Sequence, residues 1–555
     1  MHKPVVHKPV VLIAEELSPA TVEALGPDFE IRHCAGADRA ELLAALPAAD
    51  AVLVRSATRM DARAIAAGTR LKVIGRAGVG LDNVDVAAAS RAGVMVVNAP
   101  TSNTVSAAEL TVGLLLAVAR NIPQADAALK EGHWQRSRFT GVELSGKTLG
   151  IIGLGRIGTL VARRMAAFGM RLLAHDPYVQ PGYAEAAGVS VVGLDELLAA
   201  SDFLTVHLPK TPETTGLIGF EALHRVKPGV RIVNAARGGI VDEAELYAAL
   251  KEGRVAGAAV DVFSTEPCTD SPLFELDTVV VTPHLGAGTA EAQERAGVGV
   301  AGSVRRVLSG RFVPEAVNVP LGVVDDDLAP WLTLTERLGR LFTATAGSLP
   351  GRLQVRASGE ICRHDTTALS LAALKGALGA VVEGGVSYVN APLIARERGL
   401  DVESSRGPDG AAPDATHPDA PRHRSLVTVE GTLPSGERVS VRGTLSGPRS
   451  GERLVEVNGF TVDLALTGDL AFFRAPDRPA ALAGVAEVLG RAGIPVETLQ
   501  LARDPAGAGE VLIAVGQGAP PGPAHRLGGP AAQDVLADAA ARIDATRTWS
   551  TEHAP

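Results

Sequence analysis

Short apolar runs recur along the first 320 residues and alternate with Ala-rich stretches whose apolar residues fall at helical spacing. Residues 10–14, 51–54, 72–75 and 94–98 have the length and composition of buried strands, and 19–25 and 39–46 read as helices between them. The pattern restarts at 148–153 and continues through 171–175, 203–208, 231–234, 257–261 and 278–282. Strands that are apolar throughout and separated by helices predict parallel sheets covered on both faces. The expected class is α/β, with two doubly wound units and a long helix over 106–120 between them.

The character changes after position 320. Residues 328–347 read as an amphipathic helix, and 353–358 and 426–457 as antiparallel strands with in–out alternation. Between them, 401–424 is rich in Pro, Gly, Asp and Ser and reads as a mobile surface loop. From 468 onward the order is strand, helix (480–492), strand (497–503), strand (510–515), helix (532–543), strand (546–550). That is a ferredoxin-like βαββαβ order, interrupted by a Gly/Pro-rich insertion over 516–530. The expected division is 8–100 with 287–318, then 101–286, 319–465 and 468–552.

Composition narrows the function. A net charge of -9 argues against general nucleic-acid binding, which needs a basic surface. The three cysteines are far apart and outside any CxxC pattern, so no disulfide framework or metal site is expected and a reducing cytoplasm fits. No run of about 18 apolar residues exists to suggest a membrane span. Aromatics are only 3%, so Ala, Val and Leu must build the core. The amino terminus repeats HKPVV, a feature without a physical account.

Residues 149–158, LGIIGLGRIG, carry Gly153-x-Gly155-x-x-Gly158. Such a motif arises by chance in a chain with 61 glycines. Here it follows an apolar strand, opens a helix, and precedes a second strand that ends in Asp176. Gly153 suits the tight turn, Gly155 the approach of a pyrophosphate and Gly158 close helix–strand packing. Asp176 would accept hydrogen bonds from ribose hydroxyls and repel a 2′-phosphate, so the expected cofactor is NAD in a Rossmann-like unit.

Three later strands end in residues suited to catalysis: Arg237 in NAARGG, Glu266 in DVFSTEP and His284 in TPHLGA. Ligands of open α/β sheets bind beyond the carboxyl ends of strands. With the segments 75–85, 106–120, 129–144, 149–158, 234–246 and 281–293, the chain resembles the D-isomer-specific 2-hydroxyacid dehydrogenases. The segment 133–141 is similar to their phosphoglycerate-oxidising branch. The stretches 388–400 and 439–460 resemble the intermediate regulatory domain of its long members, and the last part their ACT domain.

The resemblance implies NAD-dependent oxidation of 3-phospho-D-glycerate to 3-phosphohydroxypyruvate, the entry to serine biosynthesis. It gives His284 the proton on the C2 oxygen, Glu266 the orientation and charging of that imidazole, and Arg237 a bidentate grip on substrate. Arg55, Ser56 and Gly78 fall on the substrate side, and Arg136 and Arg138 add positive charge from a neighbouring subunit. Cofactor contacts carry over to Val79, Arg156, Ile157, Leu208, Pro209, Ala235, Asp261, Gly286 and Ala287, while His175 and His207 read as structural. A homo-oligomer, a dimer of dimers paired through the 106–120 helix, is implied. The other readings are a dehydrogenase of another D-2-hydroxy acid and a non-catalytic NAD-sensing binding protein.

The chain departs from the family pattern in places. Gly288 stands where a Ser is usual, and Ala57 and Arg59 displace a second strand-end Arg. In the last unit Asp477 can hold an amino group, but Pro495 offers neither side-chain partner nor N–H, so a weak amino-acid effector site is expected. In the intermediate unit no Lys follows Lys375, which leaves Arg453 as the expected phosphate holder.

Overall fold

Apolar side chains on both faces of short strands build the first two layers of this computed structural model. It describes residues 8–551 apart from 312, 320, 322, 323, 383, 384, 408–422, 447–450, 467, 505, 506, 518–526 and 528–531. The first sheet holds β1 (Val10–Ile13), β2 (Glu30–His33), β3 (Ala51–Val54), β4 (Val73–Arg76) and β5 (Met95–Asn98). Its order is β2-β1-β3-β4-β5, parallel throughout. The second copy of HKPVV opens β1 with Val10 and Val11, while residues 1–7 lie outside the described residues. Strand β2 is not foreseen by the apolar pattern, because Glu30, Arg32 and His33 are exposed on a polar edge strand.

The second sheet comprises β6 (Thr148–Ile152), β7 (Arg171–His175), β8 (Ser190–Val191), β9 (Phe203–Val206), β10 (Val230–Asn234), β11 (Val255–Val260) and β12 (Val279–Val281). Its order is β12-β11-β10-β9-β6-β7-β8, with every pairing parallel. The connection direction reverses between β6 and β9, which opens a crevice at the carboxyl end of β6. The Thr104–Arg120 helix buries Ala108, Thr111, Leu115 and Ala119. It packs across β10 and β11 and against the Arg156–Ala166 helix. The Ala290–Leu308 helix then returns to the first sheet, burying Ala296, Val300 and Val304 against β4 and β5.

The third sheet holds β13 (Arg352–Gly359), β14 (Asp401–Arg406), β15 (Ser425–Thr432), β16 (Arg438–Ser446), β17 (Gly451–Val457) and β18 (Phe460–Ala465) in the order β14-β13-β15-β16-β17-β18. The expected loop over 401–424 is corrected at its start: Asp401–Arg406 pairs with β13 in parallel. Its sequence DVESSR lacks apolar alternation because it is a solvent-facing edge strand. The rest of that expected loop, 408–422, lies outside the described residues.

Helices Ala329–Ala346 and Thr367–Gly379 pack together on this sheet. They approach backbone to backbone. A Cβ at Gly339 would stand 2.1 Å from the Ala373 carbonyl oxygen, and one at Gly376 1.8 Å from that of Glu336. Lys375 Nζ lies 2.7 Å from Glu336 Oε2 across the same contact.

The fourth sheet is antiparallel, β20 (Thr498–Arg503), β21 (Glu510–Gly516), β19 (Leu470–Pro476) and β22 (Arg547–Thr551) in that spatial order. With helices Ala481–Arg491 and Gln533–Arg542 it is the expected βαββαβ unit. Of the insertion over 516–530, Gln517 Oε1 accepts from the buried Leu527 N–H at 2.8 Å, while 518–526 and 528–530 lie outside the described residues. Gln500 and Arg547 help to join the third and fourth units. Gln500 accepts from Asp463 N–H at 2.9 Å and donates to its carbonyl at 2.8 Å. Arg547 donates to the Thr345 and Ala346 carbonyls at 2.6 and 3.1 Å, which end the Ala329–Ala346 helix.

The helix crossing gives the first prediction. Gly376→Ala should lower the unfolding free energy by about 1–3 kcal/mol, read by denaturant titration with circular dichroism. An unchanged midpoint would show that the helices have room to part.

Candidate active site

The loop after β6 is built by its glycines. Gly153 has φ +95°, and a Cβ there would sit 2.8 Å from the His207 carbonyl oxygen. A Cβ at Gly158 would sit 2.2 Å from the Gly153 carbonyl oxygen. Gly155 caps the Arg156–Ala166 helix, and beyond its Cα nothing lies within 4 Å of a Cβ position. Backbone N–H groups at a helix start beside open space suit a pyrophosphate. Asp176 follows β7 and accepts from Leu154 N–H and Tyr178 N–H, each at 2.9 Å. Each of its oxygens keeps a lone pair for a ribose hydroxyl. These residues fit the NAD expected from the motif. The Arg156 side chain places Nη1 3.4 Å from the Pro100 carbonyl oxygen.

The ends of β10, β11 and β12 bring the catalytic candidates together. Asp261 follows β11 and is fully buried. Its Oδ1 accepts from Thr282 Oγ1 at 2.6 Å and Leu285 N–H at 2.7 Å, and its Oδ2 from Gly286 N–H at 3.0 Å. Burial pushes this carboxyl above its usual value, and the three hydrogen bonds pull it back. A side chain assigned to the cofactor thus also fixes the 282–286 loop.

That loop carries His284 at φ +54°, a left-handed conformation costly for a residue with a Cβ, with its N–H bonded to the Asp261 carbonyl at 2.8 Å. His284 Nδ1 lies 2.6 Å from Glu266 Oε2, and Glu266 Oε1 accepts from Phe263 N–H at 2.9 Å. With Nδ1 engaged, Nε2 is the ring nitrogen left to face a substrate. Arg237 follows β10, with Nε 3.8 Å from Asp82 Oδ2 across the cleft. Its loop is held by Asn234, whose Nδ2 donates to the Arg237 carbonyl at 3.0 Å.

On the first sheet, Arg55 and Ser56 follow β3. Their loop is pinned by two residues that the sequence does not single out. Glu15 accepts from the N–H groups of Arg55, Ala57 and Thr58 at 2.8, 3.3 and 2.9 Å. Asn83 Nδ2 lies 2.6 Å from both the Arg55 and Thr58 carbonyl oxygens. Glu15 lies two residues past β1, and that position after a strand is a signal that could have marked it; Asn83 lies seven residues past β4 and carries no such signal. Val79, between Gly78 and Gly80, is held through its carbonyl by Asn98 Nδ2 at 2.6 Å. His175 and His207 face Val192 O at 3.2 Å and Thr205 Oγ1 at 3.1 Å, and burial pushes His207 down to about 4.

Other candidates lie elsewhere. Arg138 pairs with Asp277 at 2.5 Å, before β12, whereas His284 follows that strand. Within one chain Arg138 is therefore at the amino end of β12, the end away from His284, and Arg136 is exposed on the same turn. Asp477 accepts from Arg503 Nε at 2.8 Å, and Arg453 pairs with Asp463.

With this geometry in view, relatives can be compared. The family model of the D-isomer specific 2-hydroxyacid dehydrogenase NAD-binding domain matches residues 112–286. That of the D-3-phosphoglycerate dehydrogenase intervening domain matches 327–458. D-3-phosphoglycerate dehydrogenase of Mycobacterium tuberculosis is 53% identical over 505 residues, 91% of this chain and 94% of that one. This chain belongs to the D-3-phosphoglycerate dehydrogenase family. The enzyme of that name from Methanocaldococcus jannaschii is 40% identical over 507 residues, 91% of this chain and 94% of its own. A crystal structure of a Thermus thermophilus protein aligns with TM-score 0.51 and 35% identity over 56% of this chain and 99% of that one. A glyoxylate reductase structure aligns with TM-score 0.51 and 31% identity over 56% and 98%. These solved chains are about as long as the first two units together.

The buried carboxylate yields a prediction. In Asp261→Asn the amide nitrogen meets a backbone N–H whichever way it turns. The loss should be about 1–3 kcal/mol of stability together with a fall in kcat. Denaturant titration and initial rates would check it, and wild-type values for both would remove the role given to Asp261.

Proposed function

We infer that this chain oxidises 3-phospho-D-glycerate to 3-phosphohydroxypyruvate with NAD, the first step of serine biosynthesis. The observation that carries the chemistry is the 2.6 Å contact between His284 Nδ1 and Glu266 Oε2, at the same carboxyl end of the sheet as the cofactor loop. Family membership at 53% identity over 91% of the chain supports the substrate.

NAD, when bound, supplies the hydride acceptor. His284 removes the proton from the C2 hydroxyl through Nε2 as the carbonyl forms, and returns it in the reverse direction. Glu266 holds the imidazole through Nδ1 and so fixes the direction in which Nε2 points. Arg237 grips the carboxylate and the oxygen that becomes the carbonyl, a planar fork on planar acceptors. Gly153, Gly155 and Gly158 let the pyrophosphate reach the helix amides, and Asp176 takes the adenosine ribose.

Initial rates of NADH formation with 3-phosphoglycerate, D-lactate and D-2-hydroxyglutarate test this reading. We expect turnover with 3-phosphoglycerate alone, and a loss of about 10²- to 10⁴-fold in kcat for His284→Asn with NAD binding kept. Turnover with an unphosphorylated acid instead would move the chain to another branch.

Two finer readings follow. The chain works as a homo-oligomer, supported by apolar residues left exposed around the Thr104–Arg120 helix: Val105 at 42%, Ile122 at 53%, Leu129 at 55% and Trp134 at 77%. Since that helix buries most of its apolar side within its own chain, the supporting residues are Val105 in its first turn and the three that follow it. Sedimentation of Ile122→Glu/Leu129→Glu should show smaller species than wild type. The second reading concerns serine. Arg503 already neutralises Asp477, and Pro495 offers no partner opposite, so serine binds weakly or not at all. Calorimetric titration should show no micromolar binding; a micromolar Kd would overturn this.

A further inference from the structure

The loop that carries Glu266 is lightly held. Residues 262–270 run from the end of β11 toward the Pro272–Glu275 turn, and from Ser264 onward all but Cys268 are exposed. Among the described residues, two hydrogen bonds tie this segment to the rest of the chain. One is the contact of Glu266 with His284 itself. The other comes from Ser264, whose N–H donates to Glu243 Oε1 at 2.6 Å. The Phe263 N–H turns inward to Glu266 Oε1.

Glu243 is the first residue of the Glu243–Lys251 helix. Its neighbour Asp242 already caps that helix, accepting from the Ala244 and Glu245 N–H groups at 3.0 and 3.1 Å. The Glu243 carboxylate is therefore left over from capping, and it reaches across to the neighbouring loop. The peptide it grips lies two residues before Glu266. A Cβ at Gly238 would stand 1.8 Å from the Phe263 carbonyl oxygen and 2.5 Å from Ser264 N. The turn that follows Arg237 thus lies flat on the same peptide. A cavity of about 380 Å³, lined by Glu243, Tyr247, Ser264 and Thr265 among others, adjoins it. That space lets the peptide move once its N–H is released, and packing against Gly238 alone resists motion from one direction only.

We propose that Glu243 is a positioning residue for the acid–base pair. Its carboxylate holds the Ser264 N–H, and through that peptide it sets the Glu266 carboxylate against His284 Nδ1. A hydrogen bond to a carboxylate is among the stronger kinds. A misplacement of about 1 Å in a catalytic group costs on the order of 10²-fold in rate. The proposal deepens the dehydrogenase reading and rests on it for the roles of Glu266 and His284. The ordinary role of an acid in a first helical turn, favourable interaction with the helix dipole, would show in melting and leave kcat alone.

The test is a double-mutant cycle in the full chain, read by steady-state kinetics, NAD titration and thermal melting. Glu243→Ala should lower kcat about 10- to 100-fold, with KM and NAD affinity within about threefold of wild type. Glu243→Gln keeps an acceptor oxygen at the same reach and should recover most of that loss, although it lacks the charge. If Glu243→Ala melts below the assay temperature, Glu243→Asp takes its place, since it keeps the charge yet falls one methylene short of Ser264. In a Glu266→Gln enzyme, the further change Glu243→Ala should cost less than about threefold, because the group it positions has lost its function. A kcat within about twofold of wild type in Glu243→Ala overturns the proposal. So does a Gln variant as slow as the Ala variant, or a loss that is fully additive with Glu266→Gln. A wild-type kcat in Glu266→Gln alone would remove the acid–base reading and this proposal with it. A loss in Glu266→Gln without one in Glu243→Ala removes the proposal alone. If wild type oxidises D-lactate and not 3-phosphoglycerate, the substrate reading fails, and the same cycle run with D-lactate still decides for or against Glu243.

Discussion

The carboxylate of Asp261 accepts from Thr282, Leu285 and Gly286, and the geometry of the cleft depends on those three bonds. They tie the end of β11 to the loop after β12. His284 sits in that loop in a conformation its own side chain disfavours. A short loop with no apolar anchor could not hold a left-handed His by itself. The cost of a backbone in that region is about 1–3 kcal/mol, which a few charge-assisted hydrogen bonds can offset. The ring then meets Glu266, which is itself positioned by the Phe263 N–H. The acid–base pair is the last link of a chain that begins with a buried acid.

The same logic runs through the first sheet. Glu15 and Asn83 hold the loop after β3, and Asn98 holds Val79. Buried or half-buried side chains thus fix the backbone at several strand ends, and the residues facing the cleft are carried on it. Parallel sheets make this possible, because every strand delivers its carboxyl end to one side.

Much of this was legible beforehand. Fully apolar strands such as β6, β9 and β11 announce themselves, and the Gly153–Gly158 loop follows one of them and opens a helix. Arg237, Glu266 and His284 were found because each follows a strand in a unit already marked by its nucleotide motif. The polar edge strands β2 and β14 were missed, since an edge needs no apolar alternation and DVESSR looks like a loop. The positions of Arg138, Asp477 and Arg453 were also hidden. Each is paired with a charge on another segment: Arg138 with the distant Asp277, Asp477 with Arg503, and Arg453 with Asp463 on the neighbouring strand. Ion pairing between segments leaves no periodic trace.

Arg547 bears on how the chain can be divided. This residue opens the last strand, yet its guanidinium donates to the carbonyls that close the Ala329–Ala346 helix some two hundred positions earlier. Without the last unit those carbonyls would lose their donor, at the end where the helix dipole is negative. The carboxyl-terminal sheet is therefore not a detachable accessory. Shortening the chain before β22 would fray a helix belonging to its neighbour, and evolution could lose the one only by rebuilding the terminus of the other.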